Sequence, residues 1–301
     1  MDRVHIIDLH FQGAAHTIAS FLIETDMGPV LIETGPESTF AQLVKGLATI
    51  GYRPEDIKHV FLSHIHFDHA GAAWRFAEKG AKIYVHPKGA KHLASPEKLW
   101  QSAKQIYGSD MEKLWGEMQP IDANLICEAS DGELFTVGNI TLTAWHTPGH
   151  ASHHIAWQLD QLIFTGDVAG VTINEGPVVP PCPPPDINIE AWKASIQKIK
   201  NLHPDLLYLT HYGKVTDINT HFDQLNYILD DWAIWMKKPY DLKEDQQKVT
   251  PEFMAYTRGQ LKSHGLADDQ IALYEYANPS WMSVAGLFRY WKQKENGKLQ
   301  S

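Results

Sequence analysis

The 301-residue chain has only two cysteines, Cys127 and Cys182, which lie far apart without CxxC spacing. That excludes a disulfide framework and a zinc knuckle. No stretch reaches the roughly eighteen uninterrupted apolar residues of a membrane span, and the opening MDRVHIIDLHF lacks the basic and apolar regions of a secretion signal. The expectation is a cytoplasmic protein with no membrane partner. Lysine and arginine total 26 against 36 acidic residues, for a formal net charge of −10, and nowhere form a basic run. The electrostatic footprint of a nucleic-acid binder is therefore missing. No G-x-S-x-G elbow supplies a serine nucleophile.

What the chain does have is histidine, 17 residues in all, within a globular composition that is 44% apolar. Short runs rich in Ile, Leu and Val at Val4 to Phe11, Thr17 to Thr25 and Pro29 to Thr34 read as consecutive strands. Phe40, Leu43, Val44, Leu47 and Ile50 recur at helical spacing, with Gly51 placed to end the helix. Further strands are expected at His59 to Leu62, Lys82 to Val85, Leu125 to Ile126, Leu134 to Val137, Ile140 to Trp145, Ile155 to Gln158, Gln161 to Phe164 and Leu206 to Leu209. Helices are expected around Ala70 to Lys79, Pro96 to Tyr107 and Ile189 to Asn201. This mixture of hairpins and crossover helices points to an α/β sandwich, with two sheets inside and helices outside. After His211 the pattern turns helical, so residues 1–214 are read as a catalytic domain and 215–301 as a helical region packed on it.

The segment S-H-I-H-F-D-H, Ser63 to His69, follows a buried strand, and an extended segment there points His64 and His66 the same way. Asp68 and His69 fall on the next turn, before a helix starting at Ala70. Imidazoles with a carboxylate suit zinc, iron or manganese, but this cluster alone cannot complete two coordination shells. His150, Asp167 and His211 each follow an apolar strand and supply the rest. Read alone, any of these histidines is an ordinary hydrogen-bonded residue. The ordered set converging on one rim is what indicates metal. Pro180 to Pro185, PPCPPP, lies between Asp167 and His211 and so reads as a stiff loop near the site and not as a linker.

H-x-H-x-D-H, then T-P-G-H, T-G-D and T-H, from about Ile18 to His211, resembles the ordered signature of the metallo-β-lactamase superfamily. The stretches A-K-H-L-A-S-P-E-K-L-W, W-G-E-M-Q-P, T-P-G-H-A-S-H-H and P-P-P-D resemble a narrower bacterial and archaeal group of hydrolases related to glyoxalase II and the lactonases. The resemblance implies an αββα sandwich: two mixed sheets flanked by helices, with a helical C-terminal region. It implies that His64, His66 and His150 bind one metal, that Asp68, His69 and His211 bind the other, and that Asp167 bridges them. The cofactors it implies are two divalent ions, zinc first, with iron or manganese as alternatives. The chain departs at Glu33, where L-I-E-T-G replaces the usual L-I-D-T-G whose Asp orients a ligand histidine.

Two metals about 3.5 to 4 Å apart would make metal-held hydroxide the nucleophile, with Asp68 as the catalytic residue passing a proton to the leaving group. The expected reaction is hydrolysis of a small ester, thioester or lactone. Competing readings are a mononuclear iron persulfide dioxygenase using only His64, His150 and Asp167, a metal-dependent nuclease, and a catalytically silent binding module. His153 and His154 read equally well as orienting groups or bystanders, and Tyr212 reads as a packing residue. His86 and His92 are left out of the site. Trp232, Trp235, Trp281 and Trp291 read first as core residues or as contacts of a homodimer, although the resemblance to two-metal enzymes that cleave glutathione thioesters implies that a helical C-terminal region can form one wall of the substrate cleft.

Overall fold

A computed structural model describes residues 3–299. Two six-stranded mixed sheets lie face to face between two helical layers. The first sheet contains β1 (Val4–Asp8), β2 (Ala19–Ile23), β3 (Val30–Ile32), β4 (His59–Phe61), β5 (Lys82–Val85) and β6 (Ile126–Glu128), side by side in chain order. β1 to β3 pair antiparallel, whereas β3 to β6 pair parallel. The parallel half is built by crossovers through α1 (Phe40–Ile50), the short α2 (Phe67–Ala70) and α3 (Ala73–Ala77), and then α4 (Pro87–Ala94), α5 (Glu97–Tyr107) and α6 (Met111–Trp115). In α1 the periodicity buries Leu43 and Leu47, and Gly51 closes the helix at φ 93°.

The second sheet runs from β7 (Leu134–Val137) through the antiparallel strands β8 (Ile140–His146), β9 (Ile155–Leu159) and β10 (Leu162–Gly166). After α7 (Ile189–Lys200) the chain returns as β11 (Leu206–Leu209), parallel to β10, and then adds β12 (Gly213–Val215) at the edge. The rest is helical: α8 (Ile218–Asp241), α9 (Gln246–Ser263), α10 (Asp268–Ala277) and α11 (Ser280–Glu295). β12 and the short α6 lie outside the sequence expectation, and the helix expected around Ala70 to Lys79 is split into α2 and α3. The strand expected at Leu125 begins one residue later, at Ile126.

The layers follow from where apolar side chains go. Phe21, Phe61, Trp157 and Phe164 fill the space between the sheets. Leu22, Leu31 and Val60 face the opposite way and meet Leu43, Leu47 and Phe76 of the first helical layer. On the far side Ile163 and Leu207 pack with Trp192, Phe222, Leu225 and Leu287 from α7, α8 and α11. Strand alternation thus gives each sheet two apolar faces and makes helices necessary on both outsides.

The rim carrying the site is tied by bonds between the sheets. Ile155 N donates to Ser63 O (2.7 Å), Ala19 N to Thr210 O (2.9 Å), and the buried Trp157 indole to Leu62 O (3.0 Å). These bonds fix the end of β4 against β9 and the end of β11 against the start of β2.

Candidate metal centre

Five of the seven expected ligands sit just beyond a strand: His64 and His66 after β4, His150 after β8, Asp167 after β10 and His211 after β11. The helix expected from Ala70 starts earlier. Asp68 and His69 lie inside α2, with His66 at its N-cap, because the chain turns into helix as soon as His66 is placed. All seven side chains converge.

Two triads form. His64 Nε2 lies 2.9 Å from His66 Nδ1, which lies 3.0 Å from His150 Nε2. His211 Nε2 and His69 Nε2 lie 3.4 and 3.7 Å from Asp68 Oδ2. Asp167 stands between them. Its Oδ2 is 3.3 Å from His150 Nε2, while its Oδ1 is 3.2 Å from His69 Nε2 and 3.5 Å from His211 Nε2. The ligand atoms of His64, His66 and His150, and those of Asp68, His69 and His211, each lie within 4.8 Å of one another. His64, His69 and Asp167 also form such a group.

The bonds behind the rings fix which nitrogen faces inward. His150 Nδ1 donates to Pro181 O (2.8 Å) and His211 Nδ1 to Thr17 O (2.7 Å). A carbonyl can only accept, so both rings carry the proton on Nδ1 and turn an Nε2 lone pair to the centre. His69 Nε2, His211 Nε2 and Asp167 Oδ1 are buried without a hydrogen-bond partner among the described residues. Leaving such atoms unsatisfied costs about 1–3 kcal/mol each. A divalent cation at each triad removes that cost, so the donor set fits metal ions.

The electrostatics of the metal-free cluster divide it. Burial and the neighbouring imidazoles hold His66 neutral, with its pKa lowered to about 3, and push His64 well below its usual value. In the other triad burial also opposes charge, but Asp167, Asp68 and Glu33 outweigh it and raise His69 well above its ordinary value. Asp167 and Asp68 likewise raise His211 against the effect of burial. Burial works against the Asp68 carboxylate, yet His69 and His211 bring its pKa down to about 2.

The residues around the ligands take up distinct roles. Glu33, left-handed at φ 61° and 1% exposed, accepts from Ser63 N (3.1 Å) through Oε1 and turns Oε2 to His69 Nδ1 at 3.4 Å. The longer carboxylate therefore reaches one of the candidate ligand histidines. His154 Nε2 accepts from Asp167 N (3.1 Å), so its Nδ1 proton goes to Thr147 Oγ1 (2.8 Å). With its lone pair occupied, His154 positions Asp167 and cannot be a ligand. Tyr212 packs, its ring centroid 4.8 Å from that of His16. At Gly149, φ 144°, a Cβ would lie 2.3 Å from Trp192 Cα, so only glycine lets the chain reach His150.

The centre opens into a cleft of about 1040 Å³. The proline loop forms one wall, as its position between ligands implied. The sequence assigned most of the other wall residues no place in the site. His92 and Trp281 line the cleft although the sequence placed His92 away from the site and read Trp281 as a core or dimer contact. Tyr107, on α5, lines it as well. Their apolar and helical patterns carried no site signal, because a helix pattern does not reveal which neighbour will be absent. His86 caps α4 by accepting from Lys88 N (3.0 Å) and does not line the cleft. No described helix is long and apolar enough to cross a membrane.

Residues 15–211 match the family model of the metallo-beta-lactamase superfamily. A metallo-beta-lactamase fold-containing protein of Sulfurisphaera tokodaii is 30% identical over 167 residues, covering 54% of this chain and 63% of that protein. An N-acyl homoserine lactonase of Bacillus cereus is 38% identical over 169 residues, covering 48% of this chain and 60% of that enzyme. The chain thus spans less than two thirds of either relative. In fold it superposes on a metallo-beta-lactamase family protein of Thermus thermophilus with a TM-score of 0.71, 18% identity, and coverage of 99% of this chain and 95% of that one. The matched family model, together with the two sheets, their flanking helices and the ordered ligand loops, establishes that this chain belongs to the metallo-beta-lactamase superfamily.

Proposed function

We propose that the chain is a dinuclear metal-dependent hydrolase of small esters, thioesters or lactones. The observation that carries this is Asp167, whose two carboxylate oxygens face different triads. A mononuclear centre on His64, His150 and Asp167 would leave Asp68, His69 and His211 as a second convergent donor set with no task. The lactonase among the relatives supports the carbonyl substrate class.

When bound, two divalent ions supply an activated water at neutral pH and polarise the acyl oxygen. The protein's part is to hold the geometry and move the proton. Pro181 and Thr17 carbonyls fix the rings of His150 and His211, Glu33 faces His69, and His154 fixes the backbone of Asp167. Asp68 keeps 21% of its side chain exposed at the cleft, against 3% for Asp167. Its Oδ2 faces the imidazoles of His69 and His211, and we assign Oδ1 to take a proton from the attacking water and pass it to the leaving group. The proline loop and the helices over the cleft restrict water around the bound carbonyl.

Metal analysis of protein purified without chelator, followed by turnover of a thioester, a lactone and a phosphodiester, tests this reading. About two zinc, iron or manganese ions per chain and cleavage of an acyl substrate are expected. One iron with oxygen consumption on a persulfide, or cleavage of the phosphodiester alone, overturns it.

A further inference from the structure

The cleft has two chemically different ends joined by α5. At one end Lys98 of α5 joins Lys88 and Lys91 of α4 on the lining. None of the three forms an ion pair among the described residues, although the protein carries a net charge of −10. The acid on that side, Asp186, is already engaged, accepting from Ser152 Oγ (2.6 Å) and Ser152 N (3.2 Å). Gly89 of α4 comes close enough to Ile65 that a Cβ would meet its Cγ2 at 2.8 Å, so this end adjoins the His64 to His66 loop.

At the other end Tyr107, nine residues along α5 and so about 13 Å away, begins an aromatic wall. Its ring centroid is 5.3 Å from Trp115 and 5.7 Å from Trp281, and Phe11 stacks on Trp115 at 5.4 Å. Trp281 keeps 38% of its surface exposed, an open apolar face on a wall of the cleft. Among the described residues the Tyr107 hydroxyl meets only the Met282 sulfur, at 3.2 Å, a weak acceptor. Lys113 and Asp110 at this end offset one another in charge. The candidate ligands His66, Asp68, His150, Asp167 and His211 line the same cleft, and the ring of Phe67, between His66 and Asp68, lies 6.1 Å from that of Trp115, so the ligand loop adjoins this end as well.

We propose that the cleft selects a thioester or ester joining an apolar arm, held on Tyr107, Trp115 and Trp281, to an anionic arm, held by Lys88, Lys91 and Lys98. This substrate class rests on the hydrolase reading above. A free cationic group gains by meeting an anion near a low-dielectric wall, and an open tryptophan face gains by apolar contact.

The probes are two thioester pairs that differ only in charge. One is the phenylpropanoyl thioester of mercaptopropionate against that of mercaptopropionamide; the other, in the opposite orientation, is the benzyl thioester of succinate against that of succinamate. The metal-loaded protein should favour the charged member of one pair in kcat/KM by about tenfold, less at high salt. The combined Lys88→Gln, Lys91→Gln, Lys98→Gln variant, checked for unchanged metal content, should abolish that ratio. Trp281→Ala should raise KM for both members of the favoured pair. Equal rates within both pairs, or a charge preference that survives the lysine variant, overturns the proposal. Binding is read separately by quenching of tryptophan fluorescence with the same compounds. Selective binding of a charged thioester without turnover refutes the hydrolase reading and retains the substrate class. Turnover of all four at equal rates does the reverse.

Discussion

The carboxylate of Glu33 lies 3.4 Å from Nδ1 of His69, across a buried contact between the end of β3 and the first turn of α2. Through Oε1 the same side chain receives Ser63 N, so one residue steadies both the entry to the ligand loop and a ligand at its far end. Glu33→Ala should lower affinity at the second triad about 10–100-fold, read by competition with a chelator. Unchanged metal retention would show that His69 is held by packing alone.

Asp167 is the only expected ligand whose two oxygens face both triads. Asp167→Ala and His66→Ala are both expected to abolish metal loading and turnover together, measured by elemental analysis and the acyl-substrate assay. A metal-free variant with full activity would remove the basis of the proposed mechanism.

The contrast between the triads sets a pH order. Near neutral pH His64, His66 and His150 are held neutral mainly by burial and need lose no proton to bind metal. In the metal-free protein His69 is raised well above its ordinary value and His211 shifts in the same direction, so a metal at that triad competes with protons more than at the other. Metal uptake at pH 7 should therefore release protons into weak buffer. As pH falls, the Asp68, His69 and His211 triad should lose its ion before the other, since protons compete there at higher pH. Stepwise dialysis with metal analysis reads the order, and simultaneous loss of both ions would contradict it.

Gly149→Ala should destabilise the fold by about 2–4 kcal/mol and weaken metal binding through displacement of His150. Chemical denaturation and metal content check the two effects. A stable, fully loaded variant would mean that α7 can carry Trp192 away from this turn without cost.

The convergence of the seven candidate side chains was legible because the segments that carry them follow apolar strands, and strand ends can be read from local pattern. Glu33 was visible only as a departure from the usual L-I-D-T-G. Its partnership with His69 depends on a left-handed backbone that no pattern announces. His154 illustrates the same limit. Its spacing beside His150 suggested an orienting group as readily as a bystander, and only the bond from Asp167 N shows where its lone pair is spent.

The sequence by itself determined the family, the seven converging side chains and the sandwich they require, because these depend on residue type, order and periodicities of two and 3.6. Tertiary structure decided the cleft. Trp281 comes from α11, Tyr107 from α5 and the prolines from the loop before α7, and no local rule brings those segments together. A helical tryptophan looks the same in sequence whether its neighbour is another helix or an opening. Whether it is core or wall is settled by what packing leaves uncovered.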